Sequence, residues 1–150
     1  GWPYLDVDRE IETREGRTLA KVYEESGEPY FRAEEAKVTR EMMTRDQCVI
    51  SYGAGTIIQE ANQRTIDEDT FVVYLVASVD VLWSRFQSDP DTAKNRPNLR
   101  SGGKEEIEER MTEMAPVYDR FADITLDGTK DTDTLVSLIL IAIADREKRR

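Results

Sequence analysis

The feature that most constrains this chain is an alternation of hydrophobic period. Short runs rich in β-branched residues at 47–52, 71–76 and 122–126, with a fourth candidate at 4–7, are the length of strands. Between and after them, residues 28–44, 78–87, 104–121 and 131–150 are charged stretches with helical spacing. A helix-length connection joins parallel neighbours, whereas a two-residue turn can join only antiparallel ones. The order β-α-β-α-β-α-β-α therefore predicts an α/β fold, a parallel sheet flanked by helices, within one domain of 150 residues. The final helix is the best specified. Asp131, Thr132 and Asp133 offer capping oxygens at its start, and Arg146, Lys148, Arg149 and Arg150 suit its carboxyl end.

Charge and missing residue types narrow the chemistry. Asp and Glu number 31 against 21 Lys and Arg, a net charge of −10, which disfavours a broad nucleic-acid footprint. There is no histidine, so Ser-His-Asp and Cys-His nucleophile systems and His-ligated metals are excluded, and acid/base work falls to carboxylates. Cys48 is the only cysteine, which rules out an intrachain disulfide and suits a reducing, cytoplasmic compartment. Cys48 itself reads as a buried strand residue with no role. The longest apolar stretch, residues 135–144, is about half of what crosses a bilayer and reads as a buried helix. Nothing near Gly1 resembles a targeting segment, and the absence of an initiator Met points to a native start further upstream.

Four places could carry chemistry. Asp6-Val7-Asp8 puts two carboxylates on the same side of an extended segment, where a magnesium ion, a substrate hydroxyl or an arginine could share them; the plainer alternative is that Asp8 caps a following helix. Gly53-Ala54-Gly55-Thr56 follows a strand, so its backbone can approach a ligand closely at the carboxyl edge of the sheet, or it is simply a tight turn. Ile58 stands where a dinucleotide fingerprint needs its third glycine. Arg32, one turn before Glu35, can grip a small carboxylate bidentately or form a solvated surface pair. Residues 88–103 form a long polar loop, a lid or a disordered segment, in which Arg96 and Arg100 are phosphate clamps or solvated charge. No G-x-x-x-x-G-K-[ST] phosphate cradle occurs.

Taken in order, Asp6-x-Asp8-x-x-Ile11-x-x-Arg14-x-Gly16, Gly27-Glu28-x-x-Phe31-Arg32-x-x-Glu35, Gly53-Ala54-Gly55, Asn62-x-Arg64, Arg96-Pro97-x-Leu99 and Pro116-x-Tyr118 before Ala122-Asp123 resemble the shikimate kinase family along nearly the whole chain. The resemblance implies a three-layer, nucleoside-monophosphate-kinase-like P-loop fold. It also implies transfer of the γ-phosphoryl group of ATP, with Mg2+, to the 3-hydroxyl of shikimate in aromatic amino-acid biosynthesis. By the same resemblance Asp8 binds the acceptor hydroxyl as its base, Asp6 lies in the metal shell, Arg32 holds the shikimate carboxylate and Gly53 and Gly55 line that pocket. Arg96 reaches the transferring phosphate from the lid and Arg85 flanks the adenine. The partners implied are shikimate and ATP, with neither nucleic acid nor membrane, on a monomer.

Three departures qualify these expectations. The family's opening strand, which lies mid-sheet between the strands at 47–52 and 71–76, and its phosphate loop are not in these residues, so the chain reads as an N-terminally incomplete and inactive piece of a kinase. Met114 stands where the family has an arginine, which Arg110 one turn earlier could replace. Ala54 replaces the middle glycine of a Gly-Gly-Gly loop. A sister kinase such as gluconate kinase, or a non-catalytic binding or regulatory relative, is the alternative.

Overall fold

The computed structural model describes residues 1–88 and 103–149, so Arg96, Arg100 and the loop between Ser88 and Gly103 lie outside the described residues. The chain divides into two compact units, one within residues 1–67 and the other comprising residues 68–88 and 103–149. Among the described residues four strands pair in parallel, as two separate two-stranded sheets.

In the first unit, β1 (Tyr4–Asp6) runs beside β2 (Val49–Ser51), with Asp6 level with Ser51. Helix α1 (Val7–Glu15) starts without any connecting loop and ends at Gly16, whose φ of 65° is the left-handed conformation that suits glycine at a helix end. Helix α2 (Leu19–Met42) is broken at Gly27, where φ is 80° and ψ 166°. Pro29 is tolerated because it lies in the first turn after that break, where its missing N–H has no intrahelical partner to lose. The Glu12 carboxylate accepts from the Leu19 amide, and the Tyr30 hydroxyl donates to Glu15, so α1 is tied to both halves of α2. Val7, Ile11, Leu19, Val22, Phe31, Val38 and Met42 form the core, with Leu5, Ile50 and Tyr52 against it. After β2 the chain passes through the 53–55 loop into a 3-10 turn (Thr56–Ile58) and the short α3 (Glu60–Gln63).

In the second unit, β3 (Val73–Val76) pairs with β4 (Ile124–Asp127), flanked in sequence by α4 (Val79–Ser88), α5 (Gly103–Phe121) and α6 (Thr132–Arg149). Tyr74 stacks on Tyr118 at 4.7 Å between ring centroids, fastening α5 to β3. Arg146 donates to the Thr70 carbonyl at 2.6 Å and to Asp123 at 3.2 Å, anchoring the end of α6 beside the strand pair.

The four anticipated strands and the helices at 78–87, 104–121 and 131–150 are found within a few residues of their expected bounds. Three expectations are corrected. Helix α6 is not buried: no residue in it is fully enclosed, and Val136, Leu140 and Ile141 are exposed, because the described residues around it meet only part of its circumference. Cys48 is half-buried and precedes β2, with its thiol donating to the Arg45 carbonyl. Helix α1 was anticipated only in the alternative in which Asp8 caps it, and the first half of α2 was not expected, since residues 7–26 are too charged for a clear apolar stripe.

Candidate functional site

The first unit gathers its chemistry where the carboxyl ends of β1 and β2 lie side by side. Asp6 is the last residue of β1 and the N-cap of α1: one carboxylate oxygen accepts from the Arg9 amide at 3.1 Å, the other from the Tyr4 hydroxyl at 2.9 Å. Asp8 is already in the first helical turn, where a carboxylate is favoured by the helix dipole. The expectation of two carboxylates on one side of an extended strand is thereby corrected. The strand ends at Asp6, so the period-two rule does not reach Asp8, and the capping residue is Asp6 rather than Asp8.

The 53–55 loop lies against two charged side chains of opposite sign. A Cβ on Gly53 would stand 2.9 and 3.0 Å from the Asp8 carboxylate oxygens, and one on Gly55 would stand 2.8 and 3.1 Å from the two terminal nitrogens of Arg32. Ordinary Cβ contacts do not come that close, so hydrogen alone fits at both positions while Asp8 and Arg32 stay where they are. A carboxylate and a guanidinium therefore border one three-residue loop, bringing together Asp8, Arg32, Gly53 and Gly55 as the spacing alone could not show.

Arg32 is held from its own helix. Its Nη1 lies 2.9 Å from a Glu35 oxygen, its Nε 3.5 Å from Glu28, and its guanidinium packs 5.2 Å from the centre of the Phe31 ring. The Arg32–Glu35 pair is not the solvated surface bridge that such a spacing usually gives, because Glu35 is only 1% exposed. A buried carboxylate needs hydrogen bonds to be tolerated, and Glu35 receives them from outside its helix as well. The Thr56 hydroxyl donates to Oε1 at 2.7 Å and the Gln59 side-chain amide donates to Oε2. From sequence Thr56 was only the last residue of the glycine turn, with no role of its own, and Gln59 was not singled out, since a polar residue after such a loop carries no signal beyond its position. Just before the loop, burial pushes the Tyr52 phenol above its ordinary value.

In the second unit, Arg85 on α4 donates from Nη2 to the Gly128 carbonyl at 2.9 Å, beside the turn that follows β4. In that turn the Thr129 hydroxyl and amide hold the Asp127 carboxyl below its ordinary value. Met114 accepts from the Tyr118 hydroxyl through its sulfur at 3.8 Å, and Arg110 pairs with Glu106 on its own helix at 3.3 Å. Arg64 forms an exposed pair with Glu60. Among the described residues no helix is long and apolar enough to cross a membrane, and no group of three or more His, Cys, Asp or Glu is placed to hold a metal by itself.

Parallel strands joined through helices, with charged side chains converging at a glycine loop beyond the strand ends, define an α/β protein of the P-loop kinase fold. The sequence profile of the family described as shikimate kinase matches residues 1–144. The chain belongs to the shikimate kinase family. It is 36% identical over 131 residues to the shikimate kinase of Cereibacter sphaeroides, covering 87% of this chain and 63% of that protein. With the bifunctional shikimate kinase/3-dehydroquinate synthase of Thermotoga maritima it shares 33% over 144 residues, 96% of this chain and 28% of that protein. With the shikimate kinase of Rhodopirellula baltica it shares 34% over 142 residues, 93% of this chain and 76% of that protein. Among solved structures, shikimate kinase from Acinetobacter baumannii in complex with shikimate superposes with a TM-score of 0.86 at 26% identity, covering 100% of this chain and 82% of that one. The Aquifex aeolicus enzyme gives 0.79 at 28% identity, covering 97% and 83%.

Proposed function

We propose that this chain carries the acceptor site of a shikimate kinase, which moves the γ-phosphoryl group of ATP to the 3-hydroxyl of shikimate in aromatic amino-acid biosynthesis. The observation that carries the reading is the placement of the Asp8 carboxylate on Gly53 and the Arg32 guanidinium on Gly55, two opposite charges along one loop. A small ligand with a carboxylate at one end and a hydroxyl at the other matches that arrangement. Arg32 holds the carboxylate, the bare backbone at Gly53 and Gly55 lets the ring approach, and Asp8 accepts a hydrogen bond from the hydroxyl.

Phosphoryl transfer asks for positioning and charge neutralisation more than covalent chemistry, which suits a chain without histidine. The acceptor oxygen bonds to the γ-phosphorus, the bond to the bridging oxygen breaks, ADP leaves, and the hydroxyl proton passes to the Asp8 carboxylate. Magnesium keeps several waters and takes one or two carboxylates plus substrate phosphates. Asp6 fits that demand, since each of its oxygens accepts a single protein hydrogen bond and retains a lone pair for a metal-bound water. When bound, the ion neutralises phosphate charge. Arg85 is assigned to the adenine and Arg96, outside the described residues, to the transferring phosphate, both on the family resemblance. The reading treats the two units as one shikimate kinase-like domain, supported by a family match that runs through both; the lid that the sequence suggests at 88–103 lies, apart from its two end residues, outside the described residues. It places the protein in the cytoplasm as a monomer, in keeping with a lone cysteine.

Titration of the 150-residue chain with shikimate tests this directly. Binding of shikimate, with none of gluconate, is the expected result; preference for gluconate would replace shikimate kinase by a sister enzyme. The same polypeptide is expected to release ADP far more slowly than about 1 per second, the lower end for kinases, because no phosphate-cradling Lys and amide loop is among its residues. A second reading, a non-catalytic relative that binds shikimate, is favoured by Met114 standing where the family has an arginine, and a full-length protein that binds shikimate yet transfers no phosphate would select it.

A further inference from the structure

We propose that Thr56 and Gln59 are positioning residues that lock Glu35, and through it orient Arg32 toward the ligand carboxylate; the inference rests on the reading of Arg32 as the carboxylate grip. Arg32 and Glu35 are three residues apart on α2, and two long side chains on one helix can pair in several rotamers. What selects one is the contact from another element. Thr56 occupies one carboxylate oxygen at 2.7 Å, and Gln59 donates to the other, the same oxygen that receives Arg32 Nη1. With both oxygens engaged, the carboxylate cannot rotate about its last torsion without breaking a buried hydrogen bond.

The brace is itself anchored. The Thr56 amide donates to the Gly53 carbonyl at 3.0 Å, and the Thr56 carbonyl accepts from Asn62, which is fully buried, at 2.7 Å. Thr56 is also fully buried, so its hydroxyl does not exchange its bond to Glu35 for one to water. The segment that bears Gly55 against the guanidinium thus also bears, one residue later, the hydroxyl that steadies the guanidinium's partner. Arg32 is set by one loop from two directions, by steric limit and by hydrogen bond.

The experiment compares Thr56→Val, which keeps the shape and removes the hydroxyl, with Thr56→Ser, which keeps the hydroxyl, and with Gln59→Leu. Each is titrated with shikimate and with its methyl ester, which lacks the charged carboxylate, while the Arg32 side-chain Nε–Hε signal is followed by NMR. The expected result is a loss of about tenfold in shikimate affinity for Thr56→Val and Gln59→Leu, little change for the ester, near-parental binding by Thr56→Ser, and faster solvent exchange of the Arg32 signal in the two weakened variants. Equal losses for acid and ester, or undiminished shikimate binding in both variants, would overturn the proposal. If the parent chain fails to bind shikimate, the functional reading falls and the Arg32 signal alone decides: faster exchange in Thr56→Val upholds the brace, and unchanged exchange refutes it.

Discussion

Arg32 shows how a residue that is ambiguous in sequence acquires a definite part. An arginine followed three positions later by a glutamate is ordinarily a surface pair contributing a few tenths of a kcal/mol. Here the glutamate is enclosed and triply hydrogen-bonded, and the guanidinium lies at the closest approach a glycine allows. Gly55→Ala is therefore expected to push the guanidinium aside, since the added methyl group would stand 2.8 Å from Nη1. A fall of about tenfold in affinity for a small carboxylate, with the unfolding midpoint changed little, is the outcome to look for in ligand titration and denaturant unfolding. The displaced group is the end of a flexible side chain, so the damage should appear in binding before it appears in stability. Asp8 obeys the same logic at Gly53, although its place in the first turn of α1 was hidden by a two-residue spacing that suggests a strand.

At the scale of elements, caps were the most legible signals and apolar content the least reliable. The Asp131 carboxylate accepts from the Thr134 amide at 2.9 Å and from its hydroxyl at 2.7 Å, as the run of short polar residues before α6 predicts. Asp131→Ala is expected to lower the urea midpoint while leaving the slope of the transition unchanged. By contrast, the apolar run at 135–144 suggested burial, yet Leu140 and Ile141 are each 60% exposed. Composition reports that a helix wants cover on several sides; which sides receive it depends on what else is packed there. The two parallel strand pairs follow the same pattern. Their existence and direction were predictable from the alternation of period, whereas their division into β1–β2 and β3–β4, in place of the one sheet expected, was not.

For the molecule as a whole, net charge of −10 makes the few paired carboxylates matter to acid stability. Hydrogen bonds from Arg17 and Tyr30 hold Glu15 below its ordinary value of 4.5, and Arg14 does the same for Glu41. Thr129 and Thr134 lower Asp127 and Asp131 from 3.8. Each group is harder to protonate folded than unfolded, so its stabilisation is complete above the unfolded value and is lost as pH falls through the lowered folded one. Unfolding midpoints should thus be level down to about pH 5 and decline from roughly 4.5 downward, with added salt shrinking the effect most at the exposed Glu41, Asp127 and Asp131. A decline beginning near neutrality would contradict the assignment. The amino-acid sequence alone determined the β-α alternation, the absence of histidine chemistry, the caps and the family, because period, residue type and local turns are properties of neighbours along the chain. Only the tertiary structure decided that Asp8 and Arg32 share one glycine loop and that Thr56 and Gln59 reach Glu35, because closeness across 21 or 24 residues is set by packing and register, on which local spacing is silent.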